Sequence, residues 1–221
     1  MSVGSYFKPS AGGGMISIQS SVADFKAFND LAKVVPKAAA AAQRRAINKT
    51  LGWLRTHIAR AVSRQERIAV SAVRQRLRSY PVAGGAASGK LWFGLNAIES
   101  SRIGRARQTG NGVSVAGRRY QGAFLKQVYG NKPDIWIRTA SQHFNANDYP
   151  DSTVSAGRGA SSGWVAENGN RFPLAKAKVS LEQARPHFDN WVKRADARLL
   201  EILQQEFNFE LQKYLKRTAH G

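Results

Sequence analysis

The chain of 221 residues contains no cysteine, so it has no disulfide framework and no thiolate to serve as nucleophile or metal ligand. Its four histidines lie far apart, without the spacing that places two of them on one helix face around a metal ion. Acidic residues are few, and the close central pair, Asp148 and Asp151, flanks a proline, where carboxylates usually accept hydrogen bonds within a turn. No apolar run approaches the roughly 20 residues of a membrane span. We therefore expect no enzymatic activity, cofactor, metal or membrane partner.

Positive charge is the dominant feature of the composition. There are 34 lysine and arginine residues against 14 aspartate and glutamate residues, which gives a formal net charge of +20 and a sequence pI near 11.0. Residues 36–78 alone hold eleven basic residues and one acid. Such an excess favours nucleic acid or an acidic protein surface as the partner, with an anionic membrane behind them. The 43% hydrophobic content rules out a fully disordered basic tail.

The N-terminal third predicts a flexible arm followed by helices. Residues 1–15 contain a run of three glycines and are expected to be flexible. A helix is predicted over 36–64, because apolar residues recur at helical spacing at Ile47, Leu51, Leu54, Ile58 and Ala61. A second helix is predicted from Ser71 to near Tyr80.

The rest of the chain predicts strands and then a final helix. Strands are expected at 91–93 and 113–115, a hairpin over 123–138, and a Gly/Ser-rich insertion at about 141–170. A helix of about 30 residues is expected from Pro186 onward. Together these elements predict one α+β domain over 16–221, with a small, mostly antiparallel sheet packed against long N-terminal and C-terminal helices.

The predicted 36–64 helix has a basic face opposite its apolar stripe. At about 100° per residue, Arg45, Lys49 and Arg60 lie on this face, with Trp53 among them. An ordinary solvated face is one interpretation. Three cations around an aromatic residue, without a nearby acid in the sequence, favour contact with phosphate or an acidic protein.

Further arginines are candidates for the same contact. They cluster after the helix and in the glycine-rich middle of the chain, and the set is Arg74, Arg76, Arg78, Arg118 and Arg119. Two basic helices in series also allow a DNA-reading helix-turn-helix, although the first helix is too long for that motif.

The end of the chain carries apolar side chains on more than one face of the predicted final helix. Because the predicted helix is longer than a domain of this size usually covers, we expect a subunit interface formed by Phe207, Phe209, Leu211 and Tyr214.

Three stretches, taken in order, carry a family resemblance. The first, 35–49, opens an alanine-rich helix after Val-Pro and contains Ala-Ile-Asn-Lys. The second is the basic segment 68–77, which contains Val-Arg-Gln-Arg-Leu. The third extends from Arg-Tyr-Gln-Gly-Ala-Phe-Leu at 119–125 to Arg-Phe-Pro-Leu at 171–174. Together they resemble the minor tail protein Z family, the tail-completion proteins of long-tailed phages of the lambda type. The arm and the insertion at 141–170 depart from that pattern.

The resemblance implies a structural virion protein that is made in the host cytoplasm. It would complete the head-proximal end of the tail, so that the tail joins the head and receives the DNA end. The implied partners are further copies of the chain in a ring, other tail or neck proteins, and the end of the packaged DNA. Two alternatives stay open: a cytosolic DNA-binding protein that uses the basic helices of 36–78, and a nuclease whose acids are not recognised.

Overall fold

The computed structural model describes residues 6–7, 13–19, 33, 35–83, 88–128, 131–149 and 174–219. The sequence suggested one domain, whereas the described residues group into two compact units. The first unit draws its described residues from Met1–Ala61, Arg74–Gly94 and Arg185–Gly221, and the second from Val62–Val73 and Leu95–Ala184. The fold is α+β, as predicted, and the strands form small antiparallel sheets.

The first unit combines one sheet with long helices. Its elements in chain order are β1 (Tyr6–Phe7), β2 (Gly13–Gln19), helix α1 (Pro36–Glu66, which continues into the second unit), the end of α2 (Val70–Arg76), β3 (Leu77–Tyr80), β4 (Ser88–Gly94), α3 (Arg185–Val192) and α4 (Ala195–Thr218). The four strands form one sheet with the order β1-β2-β4-β3.

One face of this sheet and the apolar stripe of α1 form the core of the first unit. The stripe was predicted correctly at Ile47, Leu51, Leu54 and Ile58, all at most 1% exposed, whereas Ala61 is only partly buried. From the sheet side the core receives alternate residues of three strands, which are Ile16, Ile18, Leu77, Leu91 and Phe93. Alternation with period two sends the intervening residues of these strands to the opposite face.

The strands of the second unit are β5 (Ile98–Glu99), β6 (Arg107–Thr109), β7 (Gly112–Val115), β8 (Arg118–Gln121), β9 (Phe124–Lys126), β10 (Asp134–Arg138), β11 (Leu174–Lys176) and β12 (Lys178–Val179). They form three smaller sheets, with strand orders β6-β7-β8, β11-β10-β9 and β12-β5. The predicted strands at 91–93 and 113–115 are confirmed, and so is the hairpin, in which Ile135 pairs with Leu125.

The C-terminal end of α1 lies in the second unit, where a Schellman cap stops the helix. Arg67 adopts φ 51°, in the left-handed region, and the Ile68 N–H donates to the Ser63 carbonyl at 3.1 Å. The Arg118 guanidinium donates to the carbonyl of Glu66 at 2.7 Å. A cation placed there is favourable because the C-terminal carbonyls of a helix carry partial negative charge.

Two helix predictions are wrong in extent. The helix expected from Ser71 to Tyr80 ends at Arg76, because Leu77–Tyr80 instead pairs with β4 and buries Leu77. The final helix is two helices, which are separated by a turn at Lys193 and Arg194. Phe188 lies in the first of these helices, α3, and its ring stacks on the Phe93 ring with 5.6 Å between the ring centroids.

The predicted N-terminal arm is corrected where the structure describes it, whereas residues 141–149 of the predicted insertion form neither helix nor strand. Tyr6–Phe7 and Gly13–Gln19 are strands, since their backbone groups complete the sheet beside β4. Within the insertion, Tyr149 is 2% exposed and its ring stacks on Phe144 at 5.4 Å, because these aromatics fill the second unit's core. The remaining parts, 1–5, 8–12 and 150–170, lie outside the described residues.

The close approach of β4 to α1 generates a prediction about Gly89. A Cβ atom at this position would lie 2.6 Å from Leu51 Cδ1 and 3.0 Å from Ile47 Cγ2. We expect Gly89→Ala to lower the free energy of unfolding by about 1–3 kcal/mol through overpacking. The matched control is Gly52→Ala in α1, where an added Cβ atom would meet no packed neighbour within 4 Å. We expect the free energy of unfolding of that variant to rise by about 0.5–1 kcal/mol. Equal stability of both variants in urea titrations would contradict this packing.

Candidate nucleic-acid interface

The basic face of α1 lies against α4 and is compensated by acids there. Arg45 donates through Nε to Glu206 Oε2 at 2.5 Å and through Nη2 to Glu210 Oε1 at 2.6 Å. Lys49 forms an ion pair with the second oxygen of Glu206. Both glutamate side chains are only 7% exposed. We call this contact between α1 and α4 the ionic seam.

Trp53 continues the same face of α1 into an aromatic cluster. Its ring lies 4.7 Å from the His57 ring and 5.3 Å from the Trp191 ring, and the Arg198 guanidinium lies 5.9 Å from it. Arg45, Lys49 and Trp53 follow one another along α1. Their partners Glu210, Glu206 and Arg198 come in the opposite order along the chain, so α1 and α4 pack antiparallel. Burial, helped by the positive charges of Arg60 and Arg198, lowers the pKa of His57.

The predicted contact site on α1 is therefore not an uncompensated face. Arg45 and Lys49 are ion-paired and Trp53 packs against other rings, while Arg60 is exposed to solvent. The reason is a pair of acids 161 and 165 residues away in the chain, which no local pattern could associate with α1.

The other predicted arginines are dispersed over several elements. Arg74 is exposed and Arg76 is half-buried at the end of the seven-residue α2, which is too short to act as a DNA-reading helix of the predicted kind. Arg118 is engaged in capping α1. Arg119 is exposed on β8, and it and Arg107 of β6 both lie directly opposite Ser114.

Arg78 belongs to a different arrangement, on the face of the first unit's sheet that points away from the core. The register places it opposite Trp92 of β4, which is in turn opposite Met15 of β2. In the neighbouring row Tyr80 lies opposite Lys90. Each row therefore contains one large aromatic side chain and one cation.

These side chains line an open groove of about 620 Å³. The Arg78 guanidinium lies 6.0 Å from the centroid of the Trp92 ring, and Tyr80 is 51% exposed. Among the residues that the structure describes, no carboxylate pairs with Arg78 or Lys90. We call this surface the sheet groove, and its lining is Met15, Arg78, Tyr80, Pro81, Ser88, Lys90 and Trp92.

The sheet groove joins the two kinds of side chain that bind nucleic acid without a sequence code. Arginine and lysine neutralise phosphates, and aromatic rings stack on bases. Sequence reasoning found Arg78 but missed Met15, Tyr80, Lys90 and Trp92. Their alternation with buried residues, as in Lys90-Leu91-Trp92-Phe93, was the available signal.

No family model, curated protein or solved structure matches this chain. In the described parts of the chain, no helix is both long enough and apolar enough to cross a membrane. The same residues contain no cluster of three or more histidine, aspartate or glutamate side chains that could hold a metal ion.

The predicted subunit interface lies partly against the chain itself. Phe207, Leu211 and Tyr214 are half-buried, whereas Phe209 is 57% exposed and Leu215 is 56% exposed. Glu206 and Glu210 hold the middle of α4 on α1. Beyond Leu211 every described residue except Tyr214 is exposed, so the end of the helix is open to a partner.

The ionic seam predicts how stability depends on pH. Burial alone would raise the pKa of Glu206, but hydrogen bonds and charges from Lys49 and Arg45 outweigh it and lower that pKa. Its ionisation therefore stabilises the fold above the unfolded pKa of about 4.3, and this contribution is lost as pH falls through the folded-state value. We expect Glu206→Gln to cost about 1–3 kcal/mol near neutral pH and to reduce acid sensitivity below about pH 5.

The control is Glu201→Gln, which removes an exposed ion pair on α4. Arg198 Nη1 lies 2.6 Å from Glu201 Oε2, but the Glu201 side chain is 60% exposed. Exposed pairs contribute about 0–1 kcal/mol, so this variant should unfold almost like the wild type. Identical pH profiles for Glu206→Gln and the wild type in thermal unfolding would refute the role of the seam.

Proposed function

We propose that this protein is a structural phage-tail protein of the tail-completion type, which contacts nucleic acid through the sheet groove. The observation that carries the proposal is the pairing of Arg78 and Lys90 with Trp92 and Tyr80 on one solvent-facing surface. Its partners are the end of the packaged DNA, other tail or neck proteins, and further copies of the chain.

Charge supports the nucleic-acid contact. The chain carries a net charge of +20, and the ionic seam neutralises only part of the basic face of α1. Cations that neutralise phosphates release bound counterions, so the affinity of such a contact falls steeply with salt. Arg107 and Arg119 provide a second basic row in the other unit, about 10 Å apart across two strand spacings.

The tail-completion role rests on the resemblance to the minor tail protein Z family. Arg119–Leu125 belongs to β8 and β9 and to the turn between them, and 35–49 opens α1. In the α+β architecture α1 comes before β3 to β12, and α3 and α4 come after them, which agrees with the order of motifs in that family. Location in the virion is part of this proposal, and detection of the protein in purified virions tests it.

The exposed end of α4 supports contact with a further subunit. Phe209 and Leu215 expose apolar surface near Lys213, Lys216 and Arg217. Exposed apolar groups rimmed by charged ones are typical of protein interfaces. We propose that this segment joins neighbouring copies in a ring, in which one surface of a subunit meets a different surface of the next.

The sheet groove predicts a change in salt dependence. We expect the double variant Arg78→Gln/Lys90→Gln to fold normally and to bind labelled DNA more weakly, with a shallower plot of affinity against salt. Each lost phosphate contact should reduce the slope by about 0.7 log units on a single strand and about 0.9 on a duplex. Fluorescence anisotropy at several salt concentrations measures both quantities.

The matched control is Lys37→Gln/Arg44→Gln, which removes the same charge from exposed positions of α1. It should change the affinity for DNA less than the groove variant does. If both double variants lose affinity equally, the contact is diffuse and the groove is not its site.

A truncation tests the assembly role. Deleting 212–221 keeps Glu206 and Glu210, so the ionic seam and the fold should persist, as measured by circular dichroism. We expect this variant to fail to enter particles when it replaces the wild type during phage growth. Absence of the full-length protein from purified virions would overturn the tail-completion proposal itself.

A further inference from the structure

We propose that the sheet groove binds a single-stranded segment of nucleic acid, with one base stacked on Trp92 and another on Tyr80. This inference rests on the proposed function and specifies the form of nucleic acid that the groove takes. It also assigns each of the two aromatic side chains a direct contact.

The spacing of the two rings favours bases that are separated from one another. Trp92 and Tyr80 occupy diagonal positions on paired strands, because Tyr80 lies opposite Lys90, two residues before Trp92. Such diagonal neighbours lie about 7–8 Å apart. Bases in a duplex are spaced about 3.4 Å along each strand. Two rings at this diagonal spacing therefore match an extended nucleic-acid strand whose neighbouring bases are not stacked on one another.

Access to the base faces leads to the same conclusion. In a duplex, each interior base is covered above and below by its neighbours, so an aromatic side chain cannot lie on it. Single strands offer open base faces, and proteins that bind them combine aromatic platforms with a basic groove. In the sheet groove the aromatic and basic side chains alternate along β3 and β4.

The two cations are placed to receive the phosphates that join such bases. Arg78 lies across the strand pair from Trp92, and Lys90 lies across from Tyr80. Both are exposed, and no carboxylate in the described residues pairs with them. Phosphate binding therefore does not have to break an existing ion pair.

Met15 and Ser17 of β2 extend the same face beyond Trp92 and Lys90. Their side chains are half-buried and small or flexible, so they leave space above the sheet. The groove volume of about 620 Å³ falls in the range of about 300–1,000 Å³ that is usual for small-ligand sites. This is an open surface of suitable size for bases and sugars.

The test compares binding of a labelled oligothymidine and of a blunt duplex of equal length. Stacking contributes about 1–3 kcal/mol per base, so we expect Trp92→Ala and Tyr80→Ala each to weaken oligothymidine binding about 5- to 150-fold. Duplex binding should change little in both variants. Trp92→Phe and Tyr80→Phe keep a ring and should retain most of the single-strand affinity. Thermal unfolding confirms that each variant is folded.

The outcomes separate this inference from the proposed function. If the alanine variants bind oligothymidine like the wild type, while Arg78→Gln/Lys90→Gln binds both nucleic acids weakly, the stacking proposal is wrong and the nucleic-acid contact stands. If the wild-type protein binds neither nucleic acid, both proposals fail. If the alanine variants lose binding to a polyglutamate peptide but not to oligothymidine, the groove is a site for acidic protein.

Discussion

A carboxylate that is almost excluded from water must have cationic partners, and Glu206 has two. Its oxygens are shared between Arg45 and Lys49, while Glu210 takes the second arm of the Arg45 guanidinium. A buried charge left without a partner costs several kcal/mol, so this arrangement strongly disfavours other positions of α4 along α1. The antiparallel packing of the two helices, and with it the shape of the first unit's core, depends on these contacts.

The seam also determines where the excess charge can act. The acids of α4 are matched to α1, so two cations of that helix, Arg45 and Lys49, are already ion-paired within the protein. Arg118 is likewise engaged with the carbonyls that end α1. Exposed cations that are free to meet an anionic ligand include Arg78 and Lys90 on the sheet of one unit and Arg107 and Arg119 on β6 and β8 of the other.

Local patterns predicted the elements that depend on local spacing. The stripe from Ile47 to Ile58, the strand around Val113 and the hairpin of β9 and β10 all follow from helical or alternating periodicity. Contacts between residues that are far apart in the chain produce no comparable signal in the sequence. The contact of Arg45 with Glu206, the pairing of β2 with β4, and the assembly of Trp92 with Arg78 and Tyr80 depend on tertiary structure that one sequence does not reveal. The break near Lys193 carries neither proline nor glycine.

The two kinds of ionic contact respond differently to the solvent. Dissolved salt screens exposed charges over a Debye length of about 8 Å at physiological ionic strength but affects buried pairs much less. The carboxylates of Glu206 and Glu210, at 7% exposure, are shielded in this way, whereas Arg78 and Lys90 face the solvent. If the sheet groove binds nucleic acid as proposed, concentrated salt should release that ligand from the purified protein while its helices stay together. A column wash can thus deliver the ligand-free protein in its native conformation.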